Sequence, residues 1–202
     1  MTSSGINVEA PQGLLAFWFG EPQQGFADDA HRRLWFAGGA TFDRQCTELF
    51  GETIERIYTA QLDHWFDSAR GTLAYILLCD QLTRNIYRDS AEAFRADPLA
   101  LKAAQHGVRA GMDRELGFDE RAFFYLPFEH SEDPLNQHTS VGLFTQLRDE
   151  TPAGQRHLTG SYLQHAHQHR DTILRFGRFP YRNAALGRPN TAAETEFLRS
   201  LE

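Results

Sequence analysis

An all-α fold is what this sequence predicts, and three observations carry that expectation. Apolar residues recur at helical spacing along most of the chain. Leu73, Ile76, Leu77 and Asp80, for instance, fall at i, i+3, i+4 and i+7. Helix start and stop signals also recur: Asp97-Pro98 and Asp133-Pro134 each put a capping residue before a proline, Thr191 has Glu194 three residues on, and Gly20 and Gly177 follow periodic runs. No run of alternating apolar and polar residues bounded by hairpin turns breaks this pattern. Roughly eight to ten helices with short connections follow, arranged as antiparallel pairs. They are expected to form one domain over residues 1–202, loosely ordered at its ends.

The elements can be justified in order. Pro11 suits the first turn of a short helix that buries Leu14, Leu15, Trp18 and Phe19 and stops at Gly20. After Glu21-Pro22, a helix from Asp28 to Phe36 is anchored by Leu34, Trp35 and Phe36 and ended by Gly38-Gly39. Thr41 caps a longer amphipathic stretch with Phe42, Cys46, Leu49 and Phe50 on one face, then Ile54, Ile57, Tyr58 and Leu62, and Gly51 is the expected break in it. Leu62, Trp65 and Phe66 close this region before a turn near Gly71.

The helix from Thr72 places Asp80 on its core face, where an ionised carboxylate is costly without a partner. Arg84, one turn later on the same face, is the nearest candidate, and Asn85 adds an amide. After an irregular passage from Ile86, Asp97 caps a helix that runs to Gly111. Asp119 and Glu120 open a largely enclosed helix carrying Phe123, Phe124, Tyr125, Leu126 and Phe128, with Pro127 as a kink or tight joint. Asp133-Pro134 starts the next, with Gln137 on the stripe of Val141, Phe144 and Leu147. Gly154 to Phe176 reads as a long helix whose inner face holds Leu158, Tyr162, His165, His169, Ile173 and Phe176. The loop from Arg178 to Asn190 carries too many aromatic and Arg residues for a plain connector, and a last helix follows from Thr191.

Composition limits the function classes. A net charge of -7 argues against a general nucleic-acid binder, which needs a basic face to neutralise phosphates. Lys102 is the only lysine, so Arg carries nearly all positive charge. Cys46 and Cys79 are far apart and belong to no metal or disulfide spacing, so both read as core residues. Met1 to Glu9 lacks a basic start and an apolar run, and no stretch approaches ~20 apolar residues. The expectation is a soluble cytoplasmic protein with no membrane partner. No GxxxxGK[ST] loop, GxSxG elbow or paired Cys motif occurs, which disfavours nucleotide hydrolysis, serine esterase chemistry and thiol redox work.

Taken together, LLAFWFG, LDHW, DQLTRNIYR, FFYLPFEHSED, HRDTILRFGRFPYRN and LGRPNTAAETEFL resemble the bacterial family designated domain of unknown function 924, grouped with TPR-like helical folds. The likeness spans about Leu14 to Leu198. It implies an all-helical, TPR-like domain and no particular activity, although the chain shows no regular repeat at the TPR period. Thr83 and Tyr181 depart from the family pattern, Tyr181 standing where a His is frequent, which weakens any mechanism needing a histidine in that loop.

Three segments mix charge with apolar anchors and supply the candidate ligand-binding residues. These are Asp80, Arg84 and Asn85; Glu129, His130, Glu132, Asp133 and Gln137; and His169, Arg175, Arg178, Arg182 and Asn183. Convergence of these segments would make a polar pocket of nearly balanced charge, suited to a small anionic or zwitterionic molecule or a peptide end. The alternatives are an enzyme using Glu129 or His130 for acid/base work, and a scaffold that engages a protein partner. His165 and His169 stand at i and i+4, but no Glu follows His165 in the place a zinc-hydrolase motif needs, so no metal or other cofactor is expected.

Overall fold

The apolar stripes of the sequence become the buried faces of successive helices. The structure, a computed structural model, describes residues 10–37 and 39–201, leaving aside the side chains of Phe36 and Ala37. The expected loose ends, Gly38 of the first glycine stop and the Phe36 anchor side chain lie outside what is described. The helices are α1 (Pro11–Phe19), α2 (Asp29–Ala37), α3 (Gly39–Glu55), α4 (Ala69–Leu77), α5 (Thr83–Ile86), α6 (Asp97–Ala110), α7 (Phe118–Glu129), α8 (Pro134–Glu150), α9 (Arg156–Phe176) and α10 (Ala192–Arg199). A π turn, Leu78–Leu82, joins α4 to α5 as one rod. Among the described residues there is no strand, only an isolated bridge between Gln23 and Phe26, so the fold is all-α as expected. None of these helices is long and apolar enough to cross a membrane.

Helix ends follow local chemistry where side chains can supply it. The Asp133 carboxylate accepts from the Leu135 N–H, and Thr191 and Glu194 form a reciprocal capping box. Gly177 ends α9 in the left-handed conformation, at φ +69°. Several expectations need correction, among them Thr41, which lies inside α3 and does not cap it. Gly51 does not break α3: the buried Phe50, Thr53 and Ile54 around it hold the helix through a residue that alone disfavours it by about 1 kcal/mol. Asp97 is not a cap, because Ala96 holds that position and Asp97 is already helical. Pro127, expected as a kink or tight joint, stands in the last turn of α7, just before the corner that leads to α8. The long helix starts at Arg156, after a 3-10 turn over Ala153–Gln155.

The core is built around aromatic residues. Trp18, Phe19 and Trp35 each meet the Phe123 ring edge to face, at centroid distances of 5.6, 5.4 and 4.7 Å. Such pairs contribute about 0.5–1.5 kcal/mol each beyond simple burial. α4 packs on α1, α6 and α7, while α7, α8 and α9 pack in sequence through short connections. This arrangement brings the π turn, the start of α6, the end of α7 and the second half of α9 to one place.

Gly71, expected at a turn, instead lies inside α4, where a Cβ would stand 2.1 Å from the Trp65 carbonyl oxygen. Backbone cannot yield as a flexible side chain can. Gly71→Ala is therefore expected to destabilise the protein by about 1–3 kcal/mol. Gly142→Ala, in an exposed stretch of α8 with nothing within 4 Å, is expected to stabilise it by about 0.5–1 kcal/mol. Urea melts of the two variants check both signs.

Candidate functional site

The site starts from a distortion of the α4–α5 rod. Within the π turn the Cys79 carbonyl accepts from the Thr83 hydroxyl and the Asp80 carbonyl accepts from Arg84. Side chains thus supply donors to carbonyls in the widened turn, an arrangement often found where a helix carries function. The turn aims the Asp80 carboxylate inward, with 1% of that residue exposed. His130 Nδ1 donates to its Oδ1 at 2.7 Å and Gln81 to its Oδ2 at 2.5 Å. Burial pushes the Asp80 carboxyl up, but the Arg84 guanidinium and His130 outweigh it and hold the group well below the ordinary range.

Arg84 bridges two carboxylates, lying 3.3 Å from Asp80 Oδ1 and 3.0 Å from Asp97 Oδ1. Arg182 reaches Asp97 Oδ2 at 3.3 Å from the C-terminal loop. The Arg182 guanidinium is buried between the rings of Phe94 and Phe179, at 4.9 and 4.6 Å, and its Nε has no hydrogen-bond partner. Burial lowers its pKa from the ordinary value. Two guanidinium groups and two carboxylates therefore alternate across the floor.

Beside this quartet lie Glu129, at the end of α7, and His169, on α9. His169 Nδ1 is 3.2 Å from Glu129 Oε1 and 3.0 Å from the His165 carbonyl. Glu129 is only 3% exposed, and its Oε2 has no hydrogen-bond partner. Burial, with the negative charge of Asp80 adding to it, pushes the Glu129 carboxyl up to about 8. His169 is pushed down to about 4, first by burial and then by the neighbouring His130. His130 is lowered by burial, with Asp80 opposing. One donor atom from each of Glu129, His130 and His169 lies within 4.8 Å of the other two.

Arg84, His130 and His169 separate two cavities. One, of about 450 Å³, is walled by Arg84, Arg88, Phe94, His130, His169, Tyr181 and Arg182. The other, of about 320 Å³, runs under Trp35, Phe123, Leu126, Phe144 and Tyr162 to Glu129. A larger space of about 710 Å³ lies elsewhere, against Phe66, Lys102 and His106, but its charged walls Asp63, Lys102 and Arg109 are exposed, so it holds no desolvated charge.

The model of a bacterial family of proteins of unknown function, DUF924, matches residues 14–201. The chain belongs to the DUF924 family. It is similar to a solved structure of a protein of unknown function, ATU0120 from Agrobacterium tumefaciens, at 35% identity over 94% of this chain and 97% of that one, with a TM-score of 0.79. No curated protein matches.

In this DUF924 chain the sequence-derived candidates divide in two. Asp80, Arg84, Glu129, His130, His169 and Arg182 meet around the two cavities. The others are placed as follows. Asn85 donates to Asp43, which also takes a fork from Arg88 at the wall of the larger of these two cavities. Glu132 accepts from the Phe179 N–H and pairs in a fork with Arg188, clasping the C-terminal loop to the α7–α8 corner. Asp133 is the α8 cap, and Gln137 donates to the Glu129 and Ser131 carbonyls to hold the turn between the helices. Arg178 is forked to Glu194, Asn183 bonds Asn190, and Arg175 stacks over Phe176. His165 is exposed, at the rim of the smaller cavity that His169 also lines. Sequence reasoning missed Asp97, whose Asp-Pro context reads as a cap, and Phe94, which sits in what reads as an irregular passage.

Proposed function

We propose that this DUF924 protein binds a small anionic or zwitterionic molecule in the cavity bounded by Arg84, His130, His169, Tyr181 and Arg182. The observation that supports it most is Arg182, a buried guanidinium at a cavity wall with a single carboxylate contact and an Nε left without a hydrogen-bond partner. Arg84, by contrast, is committed to Asp80 and Asp97. A guanidinium with spare donors in a concave, partly aromatic setting favours a carboxylate or phosphate group. The volume of about 450 Å³ lies within the range of small-molecule sites.

Thermal-shift titration with inorganic phosphate and with small mono- and dicarboxylates tests this reading. At least one anion is expected to raise the melting temperature by several degrees near saturation, because it binds only the folded state. Arg182→Met, with a far-UV spectrum like that of the parent, should lose the response. A response retained in that variant, or no response to any of these anions, contradicts the proposal.

A further inference from the structure

We propose that Glu129, His130 and His169 form a binding site for a divalent first-row transition-metal ion, with Zn²⁺ the best match to the donors. The site rests on these three residues alone and does not require an anion in the neighbouring cavity.

Two imidazoles and one carboxylate make an N₂O donor set, which suits zinc and its first-row neighbours better than calcium or magnesium. The three come from different parts of the fold, the α7 end and the middle of α9, and place one donor atom each within 4.8 Å. Ligands of a tetrahedral ion with bonds of about 2.0–2.1 Å stand about 3.3–3.4 Å apart. His169 Nδ1 gives its proton to the His165 carbonyl at 3.0 Å, so the atom it offers a metal is Nε2.

The surroundings match those of a metal ligand set. His130 gives its Nδ1–H to Asp80 at 2.7 Å, which leaves the Nε2 lone pair free; ligating histidines are characteristically oriented by such a carboxylate. Glu129 Oε2 is a second, independent sign. A carboxylate oxygen buried without a partner is costly, and a cation is the ligand that would satisfy it. Arg84 and Arg182 repel a cation, but Asp80 and Asp97 stand against them at 3.3 Å or less. Three protein ligands leave at least one coordination position for water or a bound molecule, on the side of the cavity that all three line.

The test uses the whole protein, freed of metal by EDTA and exchanged into chelator-free buffer, then titrated with Co²⁺ and Zn²⁺. One equivalent of Co²⁺ should give visible d–d bands of a four- or five-coordinate site, bleached by one equivalent of Zn²⁺. Glu129→Gln and His169→Ala should each abolish the bands, whereas His138→Ala, at an exposed histidine that lines neither cavity, should keep them. Should either ligand variant fail to fold, proton NMR of the Co²⁺-loaded parent decides by the number of imidazole spin systems shifted by the ion. Two support the site. Absence of the bands, their survival in His169→Ala, or any other number of shifted imidazoles overturns it.

Discussion

Asp119→Ala is expected to lower folding stability by about 3–5 kcal/mol, the range for breaking a buried ion pair from one side. The Asp119 side chain is fully buried at the start of α7 and receives four hydrogen bonds. Arg32 Nη1 reaches its two oxygens at 2.6 and 2.7 Å, the Tyr162 hydroxyl donates at 2.7 Å and the Ala27 N–H at 2.9 Å. One carboxylate therefore ties α2, the loop before it and α9 to α7. Its removal strands a guanidinium whose side chain is 16% exposed, together with a backbone donor. Urea denaturation should show the loss as a lower midpoint with an unchanged slope. Replacing both partners, as Arg32→Met with Asp119→Leu, should cost less than Asp119→Ala alone, because no buried charge is then left unpaired. A loss below about 1 kcal/mol in the single variant would mean that Arg32 escapes to water.

The second large effect is a gain. In chelator-treated protein, Glu129→Gln is expected to raise stability at pH 7 by on the order of 3 kcal/mol, or about 6–12 °C in melting temperature. The sign follows from the direction of the shift: the Glu129 carboxyl sits at about 8 when folded against an ordinary 4.5. Folding favours its protonated form, so its contribution is intact below pH 4.5 and is lost as pH rises to 8. Gln keeps the shape without the proton. The two proteins should melt alike near pH 4, separate with increasing pH, and stay separated by a constant margin above about pH 8. Melts across that range that stay parallel would show that Glu129 is solvated.

What the sequence made legible was what three or four neighbouring residues decide. Asp133 before Pro134, Thr191 before Glu194, and Gly177 after an apolar run act within one helical turn, and each does in the structure what its chemistry dictates. The Asp80–Arg84 pairing was readable for the same reason. The π turn was not, because Leu78 to Leu82 contains no residue type that marks it and the upstream stripe remains α-like. Asp97 was misread because a carboxylate before a proline has the composition of a cap, and only its distant partners Arg84 and Arg182 give it another place. Glu132, Gln137, Asn183 and Arg178 looked like site residues because a polar group that braces a loop carries the same letters as one that meets a ligand. Their partners, up to 56 residues away, could not be inferred from spacing.

The clasp made by Glu132 has a consequence for how the molecule is made. During synthesis Glu132 leaves the ribosome 56 residues ahead of Arg188, the partner that fixes it. Helices from α1 to α9 precede that partner in the chain, and the wall holding Tyr181 and Arg182 is fastened only once Arg188 has emerged. A chain cut before Arg188 is expected to lack the clasp that fastens this wall of the recess, although α1 to α9 precede the cut.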